Sequence, residues 1–205
     1  MATSPVAICN VALSWLGGEL IISLDDPSDE AKLCKANYEM LRDAVLEERE
    51  WTFAVARIEL VALTEKPTYV FSQAFQIPAN VLCILQVSKG VSTDGVPSAR
   101  RGTGLGRERR VDWVREGNKV LVNESDAVSA RVLVQVTDTN QFSPTFDQAF
   151  AARMAMDLAI PLTNSDKLQV SMAKMYGEKL RIAAAMDGMQ GRSQVTRADS
   201  LTVVR

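Results

Sequence analysis

The chain has 205 residues, with 47% apolar and 23% charged side chains, which is the balance of a folded domain and not of a disordered one. Its 23 basic and 25 acidic residues leave a formal charge of −2, so the molecule is not built throughout to hold a polyanion, and any nucleic-acid contact must come from a local patch. Histidine is absent, which removes the usual general base near neutral pH, the imidazole of a nucleophilic triad and the commonest metal ligand.

The length suits one domain or two small ones sharing a core, with on the order of 70% of the unfolded surface buried. The first predicted helix opens at Ser4-Pro5, a cap followed by proline at the first helical position, and stops at Gly17-Gly18. Val6, Cys9, Leu13 and Leu16 form its apolar face. In ISLDDPSDEA, either Asp26-Pro27 or Ser28 opens a second helix whose acidic first turn suits the macrodipole. Ala31, Cys34, Tyr38, Leu41 and Val45 then alternate three- and four-residue steps, a core-facing stripe reaching about Glu48.

From Trp51 the texture changes. WTFAVARIELVAL is apolar and β-branched enough for a strand, with a helix as the open alternative. YVFSQAFQIP and VLCILQVS read as extended segments separated by Pro78. A Gly-, Ser- and Arg-rich loop is expected over 88–110. VDWV and KVLV flank Glu116-Gly117-Asn118, a hairpin signal, and Val132, Val134 and Val136 alternate in a closing strand. Ser143-Pro144 repeats the capping device, and Phe146, Ala149, Phe150 and Met154 carry a helical face as far as Pro161. A fourth helix starts near Asn164 or Ser165, turns Leu168, Met172, Tyr176, Leu180 and Ala183 inward, and ends at Gly188.

These elements predict an α+β fold: a four-helix bundle from N- and C-terminal helical pairs, with an inserted antiparallel β subdomain and a flexible C-terminal tail. The expected division is 1–50 for the N-terminal helices, 51–140 for the β subdomain, 141–187 for the C-terminal helices and 188–205 for the tail. No stretch approaches the ~20 continuous apolar residues that span a bilayer. MATSPVAICN lacks a basic leader, so neither a secretory signal nor a membrane partner is expected.

Cys9, Cys34 and Cys83 have no metal-ligand spacing and are expected to be buried and reduced, and no cofactor or metal is expected. RRGTGLGRERR lacks the spacing of a dinucleotide fingerprint and the lysine of a phosphate loop. What remains is a loop bearing Arg100, Arg101, Arg107, Arg109 and Arg110 with only Glu108 opposed. It is a solvated charged loop, a non-specific contact with DNA phosphates or a contact with an acidic neighbouring subunit. Carboxylates cluster at Asp25-Asp26, Asp29-Glu30 and Glu47-Glu48-Glu50, where helix capping and hydrated helix ends explain them more simply than a catalytic pair. Met154, Met172 and Met175 lie on or beside core stripes, so the eight methionines are expected in the core more than on a binding surface.

Taken in order, AICNVALSWLG, ISLDDPSDEAKLC, Tyr38 with LRDAVLEEREW, W-x-F-A at Trp51–Ala54, AFQIP, VTDTNQFSPTFDQAFAARMAMDLA and Leu162-Thr163 resemble the tail tubular protein A family. These are head-to-tail adaptors of short-tailed bacteriophages. The resemblance runs from about residue 5 to 185. It does not cover 88–110 or the tail, and Glu50 stands where family members often have proline before the tryptophan. It implies a non-enzymatic structural protein in the tail or neck of a virion, assembled in the host cytoplasm. It implies a dodecameric ring bound to the portal protein on one side and the tail nozzle protein on the other, around the DNA channel. In such a ring the loop arginines would face the genome. Arg192, Val195, Arg197, Leu201, Val203, Val204 and Arg205 would meet the portal or a neighbouring subunit. The alternatives are another virion or DNA-packaging structural protein, or a cell-wall hydrolase relying on carboxylates alone.

Overall fold

A computed structural model of the chain describes residues 4–89, 111–124 and 128–190. Described residues 4–35 and 142–190 form one compact unit and described residues 36–141 another. The fold is α+β, with four α-helices and one six-stranded antiparallel sheet among the described residues.

In the first unit, α1 (Pro5–Leu16) begins where Ser4 Oγ accepts from the Ala7 amide at 3.1 Å. It ends at Gly17, whose left-handed φ of 74° lets the Gly18 amide turn back to Leu13 O at 3.0 Å. The segment that follows is pinned from both sides. The Asn10 side-chain amide pairs with both backbone groups of Ile21, at 2.9 Å each, and the Asp26 carboxylate accepts from the amides of Ile22 and Ser23. Asp26 is therefore a loop anchor. Ser28 caps α2 (Asp29–Glu47), accepting from Ala31 N at 3.2 Å.

The later helices use the same chemistry. Ser143 Oγ accepts from Phe146 N at 3.2 Å and Pro144 takes the first position of α3 (Pro144–Thr163). Removing that cap with Ser143→Ala is expected to cost about 1 kcal/mol. An unchanged thermal unfolding midpoint would show that the hydroxyl contributes nothing.

The predicted stop at Pro161 is a correction: α3 continues through it to Thr163. Proline removes one N–H, but this loss falls in the last turn, where the chain leaves anyway through Asn164 at φ 50°. Ser165 then caps α4 (Asp166–Gln190), which runs two residues beyond the expected end at Gly188. The expected face of α3 is fully buried, and the rings of Phe142, Phe146 and Phe150 pack in sequence, tilted to one another, with centroids 4.8 and 6.3 Å apart. On α4, Met172, Tyr176 and Ala183 are buried, while Leu168 and Leu180 are only half-buried.

In the second unit, α2 contributes Tyr38, Leu41, Val45 and Leu46 to a buried face. Arg42, almost fully buried, bonds Asp43 at 2.8 Å, and Asp43 also accepts from Gln135 Nε2 at 2.7 Å. Trp51 follows the helix, fully buried, and opens the 3₁₀ turn Thr52–Ala54. The strands are β1 (Val55–Ala62), β2 (Gln73–Gln76), β3 (Val81–Lys89), β4 (Trp113–Glu116), β5 (Lys119–Val122) and β6 (Val128–Val134), ordered β3-β6-β1-β2-β5-β4. The segment after Trp51 is thus a short 3₁₀ turn and a strand. Tyr69–Ser72, expected to be extended with the residues that follow, lies outside β2.

One face of the sheet holds the core of this unit, with Leu60, Phe75, Val87, Val120, Val122, Val128, Ala130 and Val132 among its members. Two bulges on β3 explain an otherwise odd pattern. Leu82 and Leu85 are extra residues in the register with β6, so Val81, Ile84 and Val87 recur every third position yet meet Val134, Val132 and Ala130 on one face. The bulged Leu82 carbonyl accepts from Arg115 Nη1 at 3.2 Å, and Val111 N donates to Val87 O at 3.3 Å. These bonds join the neighbourhoods of the two edge strands, so the sheet rolls towards a barrel around its core. The β4–β5 turn is Gly117-Asn118, where glycine at φ 58° fits the two-residue hairpin geometry.

Candidate interaction surfaces

The loop arginines Arg100, Arg101, Arg107, Arg109 and Arg110, and the tail residues from Arg192 to Arg205, all lie outside the described residues. The structure describes the places where those segments join it. Lys89, the last described residue before 90–110, pairs through its ammonium with Glu124 at 3.1 Å, and the described chain resumes at Val111. Beside that junction is a concavity of about 440 Å³ lined by Glu50, Gln86, Val111, Asp112, Trp113 and Arg131. Glu50 pairs with Arg131 at 2.9 Å. Both signs of charge stand at the base of the loop.

A second concavity, of about 430 Å³, lies under residues 65–71 against Ala74, Val114 and Leu121. Lys119 on β5 pairs with Glu65 across it at 2.8 Å. Ser72 N donates to Asn123 Oδ1 and Gln73 Nε2 to Leu63 O, so both ends of the strap are fixed. Tyr69 and Val70 stay 78% and 71% exposed, and Val70 has φ 68°, a strained conformation for a β-branched side chain. Sequence reading missed this surface because Tyr-Val reads as strand; only the fixed strap ends reveal a loop.

Further exposed apolar side chains lie on α4, among them Val170, Ile182, Met186 and Met189. Met154 and Met172 are buried as expected, but Met40, Met186 and Met189 are exposed, so the expectation of core methionine holds for only part of the set. Periodicity identifies the inward stripe but does not say whether the outward positions are wet. Lys167, Lys174 and Arg181 recur every seven residues on exposed positions of α4, about 10.5 Å apart along the axis.

Of the acidic clusters, Asp25, Asp26, Asp29 and Glu50 have local partners. Lys35 holds Asp25 and Lys32 holds Asp29, and each hydrogen bond lowers the carboxyl's pKa. Glu65 is lowered by Lys119, and Asp138 by the Asn140 amide. Among the described residues no group of three or more His, Cys, Asp or Glu is placed to hold a metal ion, and no helix is long and apolar enough to cross a membrane.

Cys9 on α1 and Cys34 on α2 are buried as expected, whereas Cys83 is half-buried. Hydrogen bonding with Cys34 and burial push the Cys9 thiol up.

No family model matches the chain, and no curated protein matches it.

Proposed function

We propose that the chain is a structural head-to-tail adaptor of a short-tailed phage, a non-enzymatic subunit of the virion neck. In this reading it is assembled in the host cytoplasm into a dodecameric ring between portal and nozzle. The observation that carries the reading is the ordered series of motifs resembling the tail tubular protein A family. Those motifs fall on residues that direct folding: the capped α1, the Asp26 anchor, buried Trp51, β2 with its exit at Pro78, and the Ser143 cap. A resemblance concentrated in caps, turns and core supports a shared fold, and a connector draws its function from that fold's surfaces. The arrangement of the four helices as one bundle with the β unit inserted belongs to the same proposal.

Connectors work through broad protein contacts. The exposed apolar side chains on α4 and at Tyr69-Val70 suit subunit or partner contacts better than isolation in water. The test is to mix the purified chain with portal rings of its phage and view the particles by electron microscopy. Added density of one closed ring per portal is expected; bare portals at saturating chain would refute the reading.

The arginine loop gives a separable prediction. Replacing Arg100, Arg101, Arg107, Arg109 and Arg110 with Ser should leave ring assembly intact and change genome retention, because several phosphate contacts are lost together. Unchanged retention and ejection would assign the loop to solvent.

A further inference from the structure

The outward side of α4 carries mainly one sign of charge. Met172, Tyr176 and Ala183 mark its buried side, and Lys167, Lys174 and Arg181 lie opposite them, all exposed, with Glu178 the only acid in the stretch between. Val170, 56% exposed, sits between Lys167 and Lys174 on the same side. The outward side of α2 carries the other sign. Met40, 64% exposed, and Glu47 point away from buried Tyr38, Leu41 and Val45, with Glu39 at the flank, and no exposed cation stands between Ala36 and Glu47. Other exposed charges are matched locally, as in Lys32–Asp29, Lys35–Asp25 and Lys119–Glu65. Lys167, Lys174, Arg181, Glu39 and Glu47 form no ion pair with another described residue.

We propose that the α4 face of one copy of this chain docks on the α2 face of a second copy. The charge spacings agree: Lys167 and Lys174 lie about 10.5 Å apart along their axis and Glu39 and Glu47 about 12 Å, a difference that long side chains absorb. With the two helices running the same way, Lys167 meets Glu39, Lys174 meets Glu47, and Val170 covers Met40, whose flexible thioether adapts to it. The opposite sense would set Arg181 against Lys32, which precedes Glu39 by the same seven residues that separate Lys174 from Arg181. Burial of the apolar side chains supplies attraction, and the charges fix register and partner. Because the two faces differ, the contact is head-to-tail: each copy offers α4 to one neighbour and α2 to another, so it repeats from copy to copy. The inference rests on the adaptor reading for closure of that series into a ring.

The test follows the full-length chain by sedimentation equilibrium over rising concentration and by electron microscopy on portal rings. The unaltered chain should self-associate, less so as salt is added. Lys174→Glu and Glu47→Lys should each weaken association at least about tenfold, since each sets like charges opposite one another. An equal mixture of the two variants should recover it, because every contact between unlike copies again pairs opposite charges. A zero-length carbodiimide should join Lys174 of one unaltered copy to Glu47 of the next, a result that needs no variant to fold. A chain that stays monomeric at every concentration and on portals, reversals without effect, or a mixture as weak as its components would each overturn the proposal. Portal attachment lost in Lys174→Glu and not restored by mixing would assign α4 to the portal instead. Self-association with bare portals would keep this contact and refute the adaptor reading; portal-bound rings indifferent to both reversals would do the reverse.

Discussion

Trp51→Ala is expected to lower unfolding stability by about 3–5 kcal/mol, a large share of the roughly 5–15 kcal/mol typical of a domain. Trp51 is 0% exposed, and its indole Nε1 donates to Val45 O at 2.9 Å, in the last turn of α2. Its own carbonyl accepts from Ala54 N and Val55 N, so the same residue closes the helix, starts the 3₁₀ turn and launches β1. Truncation removes the packed ring and leaves a cavity, and it also strips the Val45 carbonyl of a donor. Trp51→Phe should cost less, because an aromatic body remains and mainly the hydrogen bond is lost. Denaturant unfolding measures both. Equal losses would show that the hydrogen bond, not ring packing, is what matters; a loss under about 1 kcal/mol for alanine would contradict the placement of Trp51 in the core.

A chain ending at Gln190 should fold normally and fail to attach to portal-bearing heads. It keeps every helix and strand described above while removing Arg192, Val195, Arg197, Leu201, Val203, Val204 and Arg205. Ordering a segment costs about 1–2 kcal/mol per residue, which burial against a partner offsets. Its four aliphatic and three arginine side chains suit such burial, and a ring presents many copies at once, so modest contacts add by multivalency. The folding check is an unchanged circular dichroism spectrum and unfolding midpoint. With those unchanged, normal attachment to heads would remove the tail from the portal contact.

How legible the fold was depended on whether the deciding interaction is local. Ser4-Pro5, Ser143-Pro144 and Gly17 act within one helical turn, and sequence reading placed them correctly. The Gly117-Asn118 hairpin was equally plain. β1 stayed ambiguous although Ala56, Ile58 and Leu60 face the core between exposed Arg57, Glu59 and Val61, because the apolar residues around that short alternation blur its period. On β3 the buried positions recur every third residue, and the bulges that reconcile this with a strand exist only in its pairing with β6. The Tyr69-Val70 strap is likewise a product of tertiary approach, invisible to periodicity. The expected site residues fell on the two segments with the weakest local signals, 88–110 and 188–205, whereas the exposed apolar side chains of α4 and the strap emerged from burial.

The most direct measurement concerns particles formed without the subunit. Portal-bearing, DNA-filled heads produced by the phage lacking this chain should lose their genomes and fail to join tails, and the purified chain added back should restore joining and infectivity. Heads that acquire tails and infect at normal frequency without it would contradict the adaptor account.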